Sequence, residues 1–167
     1  MNDEPRDCFF TGLDLGQSRD FSAVAVLERT RVPNPDPDNE ERTVSHYAVR
    51  HLERLRLGTS YTAVCDHLVR LFAKPPLMGT MLAVDETGVG RPVVDLLDTS
   101  RIQADLRPIT ITGGHEAHPA ERLGWKVPKK CLVSTLQLLL QGRRLIVAKQ
   151  LPFAAALVEE LQNFQMW

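Results

Sequence analysis

Two aspartates stand at the ends of short apolar segments, where a carboxylate is unusual. Asp14 ends an apolar run inside the segment GLDLG, and Asp85 ends the run 80–85. An ionised carboxylate near the centre of a sheet is costly unless its charge is compensated, and a bound cation is one such compensation. If the two strands are neighbours, both carboxylates meet at one edge and can hold Mg²⁺ or Mn²⁺ for phosphodiester hydrolysis. The pair is therefore the candidate catalytic and metal-binding site, with a turn or a helix cap as the alternative role for each aspartate.

Two further acidic residues near these strands are expected to have structural roles rather than to bind metal. Glu86 follows Asp85 directly, and successive strand residues point to opposite faces of a sheet. We therefore do not expect Glu86 to be a main metal ligand. Asp20 lies in the turn after the first strand and is interpreted as a turn residue.

The remaining potential metal ligands lack the spacing of a metal site. His115, Glu116 and His118 follow a glycine pair, but no further ligand of suitable spacing accompanies them. This segment is interpreted as a flexible loop. The cysteines are far apart and form no CxxC pair, which argues against both a zinc site and a disulfide framework: Cys8, Cys65 and Cys131.

Three lysines bracket the start of a predicted helix and are candidate DNA contacts. They are Lys126, Lys129 and Lys130. Cations beside a helix N-terminus oppose the helix dipole, so this arrangement suits phosphate binding better than helix stability. A solvated basic turn is the alternative. Arg143 and Arg144 follow the helix C-terminus, where cations are favourable in any case.

The elements that must position these residues are visible in the hydrophobic pattern. Alternating or continuous apolar runs predict strands, and apolar residues at helical spacing predict helices. The strongest helix signal begins after Thr59-Ser60, which are good N-cap residues. The predicted strands cover 9–15, 22–28, 43–52, 80–85, 106–112 and 145–148, and the predicted helices cover 61–72, 89–98, 128–141 and 152–164.

This order predicts one α/β domain over residues 1–167. Three consecutive strands form an antiparallel meander, and the later β-α-β connections are right-handed. The result is a mixed five-stranded sheet in the order 3-2-1-4-5 with helices on both faces. The chain of 167 residues is 43% hydrophobic and 25% charged, as in ordinary soluble proteins, and contains no run long enough to span a membrane.

The start of the chain and its charge bear on location and partners. Residues 1–7 lack a basic segment followed by a long apolar stretch, so a cytoplasmic location is expected. Residues 101–167 hold nine Lys and Arg against five Asp and Glu, whereas the earlier residues hold 11 against 16. Such polarity fits a basic face for a polyanion beside an acidic site, although so small an imbalance is also common in proteins that bind none.

Four blocks of the sequence resemble, in order, the nuclease domain of phage terminase large subunits. The blocks are GLDLGQSRDFSAVAVLE, AVDETGVGRPVVDLL, ITITGG, and VPKKCLVSTLQLLLQGRRLIVA followed by LPFAAALVEELQNFQ. Their order and spacing carry the resemblance over nearly the whole chain. It implies an RNase H-like fold, two-metal cleavage of double-stranded DNA with Mg²⁺ or Mn²⁺, and Asp14 and Asp85 as the first two metal ligands.

The resemblance also implies what accompanies the site. The sequence has no GxxxxGK[ST] phosphate loop, so a separate packaging ATPase or a portal is an expected partner. In that family a third acidic ligand follows the block ending in LQNFQ, and the sequence ends at Trp167 without it. We therefore expect little or no cleavage by these residues alone, and cleavage by a longer chain that includes the acidic segment.

Two other functions compete with a nuclease. The missing third carboxylate favours a non-catalytic DNA-binding or assembly module that keeps the fold. The segment GLDLG also resembles the first phosphate-binding turn of actin-like and sugar-kinase ATPases. Those proteins need a second domain and a second phosphate motif, for which this sequence has neither the length nor the residues.

Overall fold

The computed structural model describes residues 8–16, 20–36, 38, 40–88, 90–120 and 123–162. One mixed sheet of eight strands runs through these residues in the order β6-β7-β5-β4-β1-β2-β3-β8. The strands are β1 Phe9–Asp14, β2 Ala23–Pro33, β3 Thr43–Arg54, β4 Met81–Asp85, β5 Asp105–Thr112, β6 His118–Pro119, β7 Trp125–Pro128 and β8 Leu145–Val147. The helices are α1 Tyr61–Phe72, α2 Gly90–Thr99, α3 Lys129–Gln141 and α4 Ala154–Gln162.

The centre of the sheet has the predicted arrangement. Strands β1, β2 and β3 form an antiparallel meander, and β4 and β5 continue from β1 in parallel. Read along the sheet, these five strands stand in the predicted order 3-2-1-4-5. The mixed α/β class with helices on both faces is likewise confirmed.

The prediction of a five-stranded sheet was wrong in number, although the strand predicted at 145–148 is present as β8. Strands β6 and β7 extend one edge, and β8 extends the other edge parallel to β3. β6 has two residues and β7 has four, too few to display an alternating pattern. The segment interpreted as a flexible loop thus contains a strand at 118–119, and a further strand directly precedes α3.

Helices α1 and α2 cover one face and bury the main core. Ser60 caps α1 by accepting a hydrogen bond from the Ala63 N–H. The predicted apolar stripe of α1 is buried at Leu68 and Phe72, both fully inaccessible. They pack in one cluster with the inward residues of β1, β2, β4 and α2, which include Leu13, Val24, Leu82, Val84, Val93 and Leu97.

The opposite face is covered only lightly. Helix α3 has no buried residue among those described, and in α4 the buried residue is Ala154. Large apolar side chains on these helices remain exposed, with Leu138 at 67%. The two faces of the sheet are therefore packed very differently.

The hairpin of β2 and β3 reaches beyond the rest of the meander. Strand β1 pairs with β2 as far as Glu28, whereas β2 goes on to pair with β3 through Pro33 and Thr43. The tip thus lies at the end of the sheet where β1 begins, away from Asp14.

No described helix has the length and hydropathy needed to cross a membrane.

Candidate active site

Strand pairing brings Asp14 and Asp85 side by side. Leu13 of β1 stands opposite Val84 of β4 in a parallel ladder, and the two aspartates are the next residues on each strand. Neighbouring strands lie about 4.8 Å apart. Both residues line the same hollow on the lightly covered face. The predicted adjacency is confirmed, while the catalytic role of the pair stays a prediction.

The turns that follow the two aspartates demand glycine. A Cβ at Gly16 would stand 2.1 Å from the carbonyl oxygen of Asp20, and one at Gly90 would stand 2.2 Å from that of Asp85. Neither position accepts a side chain without moving the backbone. The Gly16 N–H also donates a hydrogen bond to Ser22 Oγ at 3.2 Å. Close backbone packing therefore fixes where each strand ends.

The hollow beside the aspartates has a volume of about 420 Å³ and a mostly apolar lining. Beside the aspartates the floor lies close to the sheet backbone, because several sheet residues on this face are small. They are Gly12, Ala23, Ala25 and Ala83. Its sides come from α3, α4 and the residue before α4, through Leu132, Phe153, Leu157 and Glu160. The alternation of small residues in these three strands is visible in the sequence, and it is the signal that sequence reasoning missed.

The electrostatics of the pair disfavour two ionised carboxylates. Desolvation by the surrounding hollow raises the pKa of Asp14 although solvent still reaches its side chain, and the neighbouring charge of Asp85 raises it further. A hydrogen bond from the Leu15 backbone offsets part of this rise, and Asp20 adds a smaller repulsion. A cation bound between the two carboxylates would relieve the repulsion.

Asp85 also has the alternative role that the sequence allowed, as a residue that stabilises a turn. The Thr87 N–H donates a hydrogen bond to Asp85 Oδ1 at 2.8 Å, as in an Asx-turn. Asp20 is exposed in the turn after β1, in agreement with its interpretation as a turn residue. A turn role for one oxygen of Asp85 is compatible with metal binding by the carboxylate.

The rim of the hollow carries an ion pair that the sequence did not reveal. Arg54 at the end of β3 is hydrogen-bonded to Glu160 of α4. The Arg54 guanidinium carbon lies 5.9 Å from the ring centre of Phe21 and 5.8 Å from that of Phe153. Residues 106 positions apart make this contact, so no local sequence pattern predicts it.

Glu86 lies on the other face of the sheet, as the alternation predicted. Its Oε1 accepts a hydrogen bond from Thr110 Oγ1 at 2.7 Å. Both residues line a second hollow of about 320 Å³ beside α2. Lys126 also lines that second hollow, so the structure places it away from the two aspartates.

The other two predicted DNA contacts lie at the start of α3. Lys129 and Lys130 are exposed there, and Leu132, one turn further along, lines the hollow with the aspartates. Lys130 Nζ lies 2.6 Å from His115 Nδ1. Lys129 and Lys130 thus stand on the helix that borders the hollow, and neither lines the hollow itself.

Within the described parts of the chain, no group of three or more His, Cys, Asp or Glu side chains is arranged to hold a metal ion. Cys8, Cys65 and Cys131 form no disulfide bond. The Asp14 and Asp85 pair therefore supplies two carboxylates, and no third ligand completes it among the described residues.

The order 3-2-1-4-5 of the central strands and their antiparallel meander match the predicted RNase H-like α/β fold. The crystal structure of the large terminase nuclease from thermophilic phage G20c with bound zinc is similar to this chain, with a TM-score of 0.59 and 22% sequence identity. The match covers 95% of this chain and 71% of that one. Neither a protein-family model nor a curated protein sequence matches the chain. The predicted resemblance to terminase nucleases is confirmed in the fold.

Proposed function

We propose that this chain is a DNA endonuclease domain of the terminase type, dependent on a divalent metal ion. The observation that carries the proposal is the meeting of Asp14 and Asp85 at one edge of an open hollow. The similar structure belongs to a terminase nuclease, which supports the same assignment. Double-stranded DNA is the proposed substrate, and a packaging ATPase or a portal is the proposed partner.

The residues present fit a hard divalent ion. Two adjacent carboxylates, one with a raised pKa, form an all-oxygen donor set with excess negative charge. Such a set can hold Mg²⁺ or Mn²⁺ together with several water molecules. When bound, the ion supplies Lewis acidity for phosphodiester hydrolysis. A two-metal mechanism needs further oxygen ligands beyond this pair.

The chain's own residues have separable roles in this proposal. Asp14 and Asp85 bind the ion, and the two glycine turns fix the strand ends that carry them. The small residues of the floor leave room for a substrate beside the carboxylates. Lys129 and Lys130, at the start of α3, are proposed to bind DNA phosphates.

Plasmid nicking with Mn²⁺ or Mg²⁺, with and without EDTA, tests the activity. Because two carboxylates hold an ion only weakly, we expect weak cleavage or none, so Mn²⁺ binding by calorimetry is measured alongside. Asp14→Asn or Asp85→Asn should abolish both signals, because each change removes a ligand charge and keeps the shape. Asp66→Asn on the exposed side of α1 is the matched control. Mn²⁺ binding that survives both changes at the sheet edge would reject the proposed site.

A non-catalytic DNA-binding module is the second candidate. The observation that favours it is the lack of a third metal ligand in the described residues. Duplex binding without any metal-dependent cleavage, in a chain that retains weak Mn²⁺ binding, would support this function.

The lysine assignment has its own test. Replacing Lys129 and Lys130 by Ala should weaken binding to duplexes of any sequence and make the salt dependence shallower by roughly 0.9 per lost contact. Lys126→Ala is the comparison, because Lys126 lines the hollow on the other face. An unchanged salt slope in the double variant would assign both lysines to solvation.

A further inference from the structure

Arg54 stands in the same transverse row of the sheet as the two aspartates. It pairs with Ala23 across the β2–β3 ladder, and Ala23 pairs with Asp14 across the next. Two strand spacings, about 10 Å, therefore separate the backbones of Arg54 and Asp14. Arg54 also lines the hollow that contains both aspartates. A basic side chain is thus built into the rim of the acidic site.

The surroundings of the Arg54 guanidinium fix its direction but leave it accessible. The rings of Phe21 and Phe153 lie on it at 5.9 and 5.8 Å, and Glu160 supplies a carboxylate. The Arg54 side chain is 33% exposed and that of Glu160 is 63% exposed. A planar guanidinium held by aromatic contacts is well suited to bidentate binding of a phosphate.

We propose that Arg54 positions a substrate phosphate beside Asp14 and Asp85, and that Glu160 holds this arginine until the phosphate replaces its carboxylate. This inference rests on the proposed function, since it takes a DNA phosphodiester as the ligand. No covalent bond changes in the exchange. One anionic oxygen partner of Arg54 replaces another, and Glu160 returns to solvent.

Replacement of the Glu160 carboxylate by a phosphate needs little free energy, because the ion pair between Arg54 and Glu160 is weak. An ion pair whose carboxylate is 63% exposed contributes little to stability. Helix α4, which carries Glu160, is anchored to the fold by few buried residues, with Ala154 the buried one. The two aromatic contacts come from Phe21 and from Phe153, which precedes α4, so at least the Phe21 contact persists if α4 shifts.

Binding of a fluorescein-labelled 20-base-pair duplex, measured by anisotropy in EDTA, tests the proposal without hydrolysis. Glu160→Gln should tighten binding about two- to fivefold, the range set by the strength of an exposed ion pair. Arg54→Ala should weaken binding and make the salt dependence shallower by roughly 0.9. In the double variant, Glu160→Gln should give no gain, because the arginine that it releases is absent.

Two controls separate positioning from structure and from overall charge. Glu28→Gln removes the same charge from the exposed pair that Glu28 makes with Arg50, outside the hollow. It should change duplex affinity less than Glu160→Gln does. Arg54→Lys keeps the charge but loses the planar fork, and should bind with intermediate affinity. Thermal unfolding of each variant checks that the fold is retained.

The outcomes distinguish this inference from the proposed function. If Glu160→Gln binds no tighter than Glu28→Gln, or still tightens binding when Arg54 is Ala, Arg54 is not the residue released, and the inference is overturned. That result leaves the nuclease proposal standing wherever Mn²⁺ binding still depends on Asp14. If the Arg54 and Glu160 variants behave as expected but Mn²⁺ binding does not depend on Asp14, the nuclease proposal is rejected. Arg54 then remains a phosphate contact. No duplex binding by any variant overturns both.

Discussion

The carboxyl of Asp14 is destabilising where it stands. Desolvation and the charge of Asp85 raise its pKa above the ordinary value of 3.8, so the folded chain holds this proton more tightly than the unfolded chain does. Folding stability therefore falls as the pH rises from the ordinary carboxyl value of 3.8 through the raised pKa of Asp14 in the folded chain. A residue that costs stability at neutral pH, at the edge of a hollow, is typical of a functional site.

Asp14→Asn should therefore stabilise the metal-free protein at pH 7. The amide keeps the shape and removes the repulsion, which predicts a rise in melting temperature of about 1–2 °C. With saturating Mn²⁺ the wild type should have the higher melting temperature, because the ion binds the folded protein through the Asp14 carboxylate and not through the amide. Differential scanning fluorimetry with EDTA and with Mn²⁺ measures both. A lower melting temperature for the variant in EDTA would show that Asp14 has a structural role.

Glu53 is the opposite case. Burial works to raise its pKa, but hydrogen bonds with His51 and His67 outweigh it and leave the pKa below 4.5. His67 Nε2 lies 2.9 Å from Glu53 Oε2 and thereby joins α1 to β3. A carboxylate with a lowered pKa contributes stability above its unfolded pKa and loses it as the pH falls through the folded value.

Glu53→Gln should accordingly cost about 1 kcal/mol of unfolding free energy at pH 7. The cost should shrink as the pH falls below 4.5, where the native carboxylate also becomes protonated. Urea unfolding of both proteins at pH 7 and below pH 4 measures the difference. A cost that is equal at both pH values would assign the effect to packing.

At the scale of elements, sequence reasoning succeeded where the pattern is long and local. Helix α1 was predicted over its full range because its apolar stripe repeats through 12 residues behind a capping Ser60. The adjacency of Asp14 and Asp85 could be predicted because each ends an apolar strand. β6 was missed because two residues carry no period, and Arg54 was missed because its partners come from distant segments.

The floor of the hollow offers a test at the same scale. A Cβ added at Gly12 meets no heavy atom within 4 Å. Gly12→Val should therefore keep or raise the unfolding free energy by up to about 1 kcal/mol, since glycine weakens a strand. Its side chain would fill the floor beside Asp14, so duplex binding should fall.

Thermal unfolding and duplex anisotropy measure the two effects of Gly12→Val. Gly113→Val is the matched control, because its added Cβ also meets nothing within 4 Å and it lies outside the hollow. Wild-type duplex affinity in Gly12→Val would show that the hollow is not part of the DNA-binding surface.

At the scale of the whole molecule, stability is concentrated on one side of the sheet. Most of the fully buried side chains belong to the core cluster of α1, α2 and the sheet, while α3 has no buried residue among those described. Leu82→Ala should cost about 2–5 kcal/mol because it leaves a cavity in this core. Leu138→Ala, at a site 67% exposed, should change the free energy by less than about 0.5 kcal/mol.

Urea unfolding of the two variants measures this contrast between the faces. Equal costs would show that α3 is held as firmly as the core. The expected contrast would show that the core beneath α1 and α2 carries most of the stability, on the face of the sheet away from Arg54 and Glu160.

The long β2–β3 hairpin gives the molecule a direction. Its tip carries Asp36, Asp38, Glu40 and Glu41 against the single cation Arg42. Lys129 and Lys130 follow β7, which runs parallel to β5 and, one strand further along, to β4, the strand that ends at Asp85 beside Asp14. Negative charge thus stands at one pole and exposed lysines at the other, so a polyanion that diffuses toward the protein experiences a torque before any contact forms. The hairpin would then act on the rate and orientation of the encounter, an influence that weakens as ionic strength rises.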